Sequence, residues 1–68
     1  MSDQTNEPIL QFFAYEHLRA DLQPTSKPFG DLARDIVATL PRNPERTISL
    51  RKLLEAKDAA VRAHLYRA

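Results

Sequence analysis

The turn sequence RNPERT, residues 42–47, determines how this chain folds. Asn43 is a preferred N-cap residue, and Pro44 suits the first helical position because its missing N–H has no helical partner to lose. Glu45 adds a carboxylate where the helix dipole favours negative charge. Pro41, just upstream, ends any helix that precedes it. The stretch therefore predicts a short turn between two helices.

Helical patterns flank this turn on both sides. Apolar residues recur at three- and four-residue steps, which is typical of one buried helix face. The two sets are Phe29, Leu32, Ala33, Ile36, Val37 and Leu40 before the turn and Leu50, Leu53, Leu54, Val61 and Leu65 after it. Ser26 is the predicted N-cap of the first helix, with Pro28 in its first turn. We expect helices over about 26–40 and 44–66, paired as an antiparallel hairpin.

The composition allows one small domain. A chain of 68 residues buries only about 60% of its unfolded surface, so its core needs a further stabiliser. Cysteine is absent, which excludes disulfides and thiolate metal sites. The two histidines have no neighbours at zinc-ligand spacing. We therefore predict an all-α fold with a flexible arm over 1–8 and one helical domain over 9–68, assembled into a homo-oligomer.

Charge is spread unevenly along the chain. Residues 1–41 hold three Lys/Arg and six Asp/Glu, for −3, and residues 42–68 hold seven and three, for +4, which gives the net charge of +1. This asymmetry favours head-to-tail contacts between copies, or a basic face for an anion. It is too weak to predict DNA binding. No apolar run reaches the ~20 residues that span a bilayer, and the acidic N-terminus does not fit a signal peptide, so we expect a cytoplasmic protein without a membrane partner.

The sequence does not favour an enzyme. There is no cysteine nucleophile, and neither histidine has a spacing that suggests a catalytic triad. A single glycine cannot build a glycine-rich phosphate loop. Asp31 and Asp35 form a carboxylate pair, but such a pair on an ordinary helix is typical of the solvent-exposed face. We expect no catalytic residue, no cofactor and no metal.

Residues 12–18, FFAYEHL, concentrate three of the five aromatic side chains of the chain. Phe12 and Phe13 are predicted to lie in the core and to anchor this segment. Tyr15 and His17 can then present flat faces to a ligand. An aromatic ring that stacks on a base, beside a side chain that donates a hydrogen bond to a phosphate, is the smallest set of groups that holds a nucleotide.

Lys27 is the candidate hydrogen-bond donor to a phosphate group. It lies at the predicted start of the first helix, where free N–H groups and the helix dipole favour an anion. Thr25 and Ser26 would add hydroxyl donors beside it. The alternative is an exposed lysine paired with Asp31 at the i,i+4 spacing.

Lys57 interrupts the apolar face of the second helix. It follows Leu53 by four residues and precedes Val61 by four. A buried, unpaired ammonium is costly, so this lysine must reach water, pair with a carboxylate or meet an anionic ligand. The carboxylates expected for such a pair are Glu16, Asp21 and Asp35.

Much of the chain resembles a known family. The pattern FFAYEHL … LQPTSKPFGDLARDIVATLPRNPERTISLRKLLEAKDAAVRA, over residues 12–63, is similar to the small helical phage proteins that act as anti-CBASS cyclic-oligonucleotide sponges. The shared features are an aromatic-Tyr-His segment, a lysine opening the first long helix, a proline-containing turn and a second helix with an ER…L…L.EA…A…A pattern.

The resemblance implies a function and a set of ligand-binding residues. Members of this family capture cyclic dinucleotides such as cyclic GMP-AMP, and in some cases cyclic trinucleotides, without cleaving them. They assemble as hexamers, trimers of head-to-tail dimers, in the cytoplasm of the host of a phage or prophage. Carried over, Tyr15 would stack on a base, Lys27 would contact a phosphate, and Arg62 would contact a phosphate in a second kind of pocket.

Two other functions remain open at this point. The apolar faces alone also fit a small protein-interaction or assembly module without a nucleotide ligand. The basic second half fits a nucleic-acid-binding regulator less well, because its cations do not form one stripe along the helix. These cations are Arg51, Lys52, Lys57 and Arg62.

Overall fold

The computed structural model describes residues 7–67, which form an all-α helical hairpin with a short N-terminal segment. A 3-10 helix spans Pro8–Phe13, helix α1 spans Gln23–Thr39 and helix α2 spans Pro44–Leu65. The predicted fold class is confirmed. The described residues contain no helix that is both long enough and apolar enough to cross a membrane. Most of the predicted flexible arm lies outside the described residues, but Glu7 and Pro8 belong to the ordered fold.

The turn between the helices forms as its sequence predicts. The Asn43 side chain accepts a hydrogen bond from the backbone N–H of Arg46 at 2.8 Å, and Pro44 is the first residue of α2. At the other side, the N–H of Leu40 donates to the Ile36 carbonyl at 3.0 Å and closes α1. The predicted N-cap at Asn43 is therefore confirmed.

Helix α1 begins three residues earlier than predicted, so Ser26 is not its N-cap. The Leu22 carbonyl accepts hydrogen bonds from the N–H groups of Thr25 and Ser26, both at 3.1 Å. Pro24 occupies the first turn, where a proline is tolerated. Two prolines four residues apart both fit a first turn, and the sequence alone favoured Pro28.

The core lies where the 3-10 helix crosses the hairpin. Its fully buried side chains are Phe13, Ala33, Val37 and Leu50. Gly30 makes the crossing possible, because a Cβ at this position would lie 3.0 Å from the Phe13 carbonyl oxygen. The predicted burial of Phe12 is wrong, since its side chain is 57% exposed. Of these two adjacent side chains, it is that of Phe13 that enters the core.

Arg46 is buried among all three helical elements, although nothing in the sequence pattern marks it. Its guanidinium donates to the carbonyls of Val37 at 3.2 Å and Leu40 at 3.1 Å, in the last turn of α1. It also donates to the Glu7 carboxylate at 2.7 Å. A cation at the end of a helix is favoured by the dipole and satisfies carbonyls that have no helical partner. Arg46 therefore joins α1, α2 and the N-terminal segment.

Replacing Arg46 with alanine should lower the free energy of unfolding by about 3 kcal/mol, because Glu7 and the two carbonyls would lose a buried partner. Arg42 is the matched control: it approaches the same Glu7 oxygen at 3.6 Å but is half exposed. Arg42→Ala should change the free energy by less than about 1 kcal/mol. Urea unfolding followed by circular dichroism measures both. Equal losses in the two variants would contradict the assigned role of Arg46.

Candidate functional site

Tyr15 and Lys27 lie side by side at the end of the hairpin opposite the turn between α1 and α2. The Lys27 ammonium is 6.0 Å from the centroid of the Tyr15 ring, within the range of a cation–π contact. The 3-10 helix brings Tyr15 to this position, and the Tyr15 carbonyl accepts a hydrogen bond from the Leu18 N–H at 3.0 Å. The ring is half-buried, whereas Lys27 is exposed in the second turn of α1. The two residues are therefore neighbours in the structure, and ligand binding by them stays a prediction.

Asp31 shares this site. Its carboxylate accepts a hydrogen bond from the Lys27 ammonium at 2.7 Å, so the alternative partner named in the sequence analysis is present. The hydrogen bond and the charge of Asp31 raise the pKa of Lys27, which keeps the ammonium protonated. Any anion that binds Lys27 must therefore share it with Asp31 or displace that carboxylate.

The phosphate site predicted at the start of α1 needs correction. The N–H groups of the first turn already have partners: Gln23 donates to the Arg19 carbonyl at 3.3 Å, and Thr25 and Ser26 donate to Leu22. Ser26 is completely buried, and its hydroxyl has no hydrogen-bond partner within the described residues. Because the helix begins earlier, Ser26 faces the core instead of the solvent. It cannot contact a ligand in this conformation.

The other candidates make no described contact with Tyr15 or Lys27 within residues 7–67. Lys57 is 13% exposed and pairs with Asp58 at 3.2 Å, so the three expected partners are wrong. Asp58 follows Lys57 directly in the chain, so this ion pair does not depend on the tertiary fold. His17 and Arg62 are exposed. The antiparallel hairpin places Arg62, near the end of α2, at the same end of the molecule as the start of α1.

A second polar cluster, which the sequence pattern did not predict, lies at this end of the hairpin. Arg19 donates to the two carboxylate oxygens of Asp21 at 2.7 and 2.9 Å. His64, from the last turn of α2, lies 3.3 Å from the same carboxylate. The close spacing of Arg19 and Asp21 was a usable signal in the sequence. His64 is 43 positions away from Asp21 in sequence, so only the tertiary fold brings it into contact with that carboxylate.

Comparisons with protein-family models, curated proteins and solved structures found no match to this chain. The described residues contain no group of three or more histidine, aspartate or glutamate side chains that could hold a metal ion. The geometry of the site therefore carries the functional argument. An exposed ammonium beside an aromatic ring suits a ligand that has both an anionic group and a flat ring.

Ser26→Ala should raise the free energy of unfolding by roughly 0.5–1 kcal/mol. The change removes a buried hydroxyl that has no partner, and alanine is the better helix former. Thermal unfolding measures the change. A loss of stability would show that the hydroxyl makes a hydrogen bond in solution, and that its position in α1 is misassigned.

The stability of the protein should fall in acid through Asp21. The hydrogen bonds from Arg19, followed by that from His64, lower the pKa of Asp21 from 3.8 to about 2. A lowered pKa contributes stability that is complete above the unfolded value and is lost as the pH falls through the folded value. Asp21→Asn should therefore lower the melting temperature at pH 6 and have little effect near pH 2. A difference that does not change with pH would contradict this role.

Proposed function

We propose that this protein binds cyclic oligonucleotides and holds them without cleaving them. The ligands are cyclic dinucleotides such as cyclic GMP-AMP, and cyclic trinucleotides. Capturing them in the cytoplasm of a phage host would remove the signal that activates CBASS defence. The observation that carries the proposal is the Lys27 ammonium 6.0 Å from the Tyr15 ring. The resemblance of residues 12–63 to the sponge family also supports it.

Each residue of the pair has a separate role. The Tyr15 ring is half-buried, so it can stack on a base without losing much rotamer freedom. Such stacks contribute about 1–3 kcal/mol per base. The exposed Lys27 donates to a phosphate oxygen through a charge-assisted hydrogen bond. One nucleotide carries both a base and a phosphate, which is why the two residues need to be neighbours.

Asp31 tunes the affinity of this site. In the free protein its carboxylate accepts the Lys27 hydrogen bond at 2.7 Å, and both side chains are about half exposed. A phosphate would take the place of this carboxylate on the ammonium and would be repelled by its charge. Exposed ion pairs are weak, so the exchange costs little.

Titration calorimetry against a panel of cyclic di- and trinucleotides tests this function. Tyr15→Ala should weaken binding by about 1–3 kcal/mol with little salt dependence, whereas the loss in Lys27→Ala should shrink as salt increases. Asp31→Asn should tighten binding, because a competing negative charge is removed. Lys52→Ala, which removes an exposed lysine of α2, should bind as the parent does.

Two results would contradict the proposal. The first is a parent protein that binds no member of the panel. The second is binding that neither Tyr15→Ala nor Lys27→Ala weakens, although circular dichroism shows both variants folded. Chromatography after denaturing the complex should recover the ligand intact. A cleaved product would show that the protein hydrolyses the ligand instead of sequestering it.

A second candidate function is a protein-interaction module without a nucleotide ligand. The exposed large apolar side chains favour it, since an isolated small protein gains nothing from leaving them in water. They are Phe12, Leu32, Leu40, Ile48, Leu65 and Tyr66. A parent protein that binds no cyclic nucleotide would favour this module.

A further inference from the structure

Arg34 is an exposed cation of α1 that no sequence motif distinguishes. Its guanidinium makes no hydrogen bond and no ion pair within residues 7–67. The other cation of α1, Lys27, is paired with Asp31 at 2.7 Å. A guanidinium has five N–H donors and no acceptor. Those of Arg34 are therefore open to an anion that comes from outside the chain.

Arg34 lies on the same face of α1 as Lys27. Successive residues of a helix are turned by about 100°, so positions 27, 31 and 34 fall within about 60° of one another. Along the axis, Lys27 and Arg34 are separated by about 10 Å. Asp31 lies between them but pairs with Lys27 alone. This face therefore presents two cations to one carboxylate.

The neighbouring carboxylates make no ion pair with either cation within the part of the chain that the structure describes. Glu16 accepts a hydrogen bond from the backbone N–H of Tyr15 at 3.3 Å. Asp35 is turned about 100° away from Arg34, and residues next to each other in a helix do not face each other. Neither carboxylate neutralises the guanidinium of Arg34.

Gly30 lets the Arg34 side chain lie close to the segment that carries Tyr15. A Cβ at Gly30 would lie 3.4 Å from a terminal guanidinium nitrogen of Arg34 and 3.0 Å from the Phe13 carbonyl oxygen. Side chains of a helix point back toward its N-terminus, which directs Arg34 toward Gly30 and Lys27. Tyr15 follows Phe13 by two positions. Arg34 thus borders the same surface as the Tyr15–Lys27 pair.

The charge of Arg34 acts on the ammonium of Lys27. The hydrogen bond and the charge of Asp31 raise the pKa of Lys27, and the charge of Arg34 opposes this rise. Two like charges at this range repel each other, and an anion placed between them is attracted by both. A ligand with two anionic groups therefore gains more at this surface than a ligand with one.

We propose that Arg34 is a second phosphate-binding residue of the Tyr15–Lys27 site, which therefore selects ligands with two phosphate groups. A guanidinium holds a phosphate through two parallel N–H donors, which an ammonium cannot do. One closed ring carries both phosphates of a cyclic dinucleotide. Lys27 takes one phosphate, Arg34 takes the other, and a base stacks on Tyr15. The identity of the ligand rests on the proposed function, whereas the pairing of the two cations does not.

Calorimetry with cyclic GMP-AMP tests the role of Arg34. Arg34→Gln keeps most of the side-chain length and removes the charge, and it should weaken binding about tenfold. Arg51→Gln is the matched control, because Arg51 is an exposed arginine of α2 that makes no ion pair within the described residues. It should bind as the parent does. If the parent binds and Arg34→Gln binds equally well, the role of Arg34 is wrong and the proposed function stands.

A second comparison separates direct contact from an effect through Asp31. A phosphate that displaces Asp31 from Lys27 frees a carboxylate that can turn to Arg34 at the i,i+3 spacing. Arg34→Gln is therefore also measured in an Asp31→Asn background. Direct contact predicts the same roughly tenfold loss in both backgrounds. A loss that disappears when Asp31 is replaced would overturn direct contact.

An NMR titration of the parent with inorganic pyrophosphate tests the pair of cations without any nucleotide. The side-chain N–H signal of Arg34 and the signals of Lys27 should shift together, and by at least about twice as much as those of Arg51. Such shifts in a protein that binds no cyclic nucleotide would keep the two-cation site and contradict the proposed function. Equal shifts at Arg34 and Arg51 would overturn the two-cation site.

Discussion

The buried guanidinium of Arg46 is the interaction on which the rest of the structure depends. Its side chain donates to the last carbonyls of α1 and to the carboxylate of Glu7, and its backbone N–H donates to the N-cap residue Asn43. A hairpin of this size has a small core, so a shared polar anchor contributes more than it would in a larger domain. Charge burial is tolerated here because Arg46 donates to three acceptors at once.

The same anchoring determines the geometry of the candidate site. Tyr15 follows the 3-10 helix, which Glu7 holds at its beginning and Phe13 holds at its end against Gly30. Lys27 belongs to α1. The packing of these two elements therefore brings the Tyr15 ring and the Lys27 side chain together before a ligand arrives, which lowers the ordering cost of binding.

Sequence patterns predicted the features that depend on neighbouring residues. Asn43 and Pro44 were sufficient to place the turn and the start of α2, and the helical spacing was sufficient for the hairpin. The start of α1 was wrong because Pro24 and Pro28 satisfy the same local rule. The roles of Arg46 and Gly30 depend on Glu7 and Phe13, which are remote in sequence, and no local pattern reveals them. In the site, Tyr15 and Lys27 followed from residue type, whereas the burial of Ser26 followed from the shifted helix start.

The separation of Glu7 from Arg46 by 39 positions also affects the order in which the chain folds. Hydrogen bonds within α1 and α2 close short loops, and the turn brings the two helices together locally. The contact with Glu7 closes a much longer loop and therefore has a higher entropic cost. We therefore expect the hairpin to form first and the 3-10 helix to dock later. In the native state the same segment is the natural unit of partial unfolding, so amide exchange there proceeds while the helix interior stays protected.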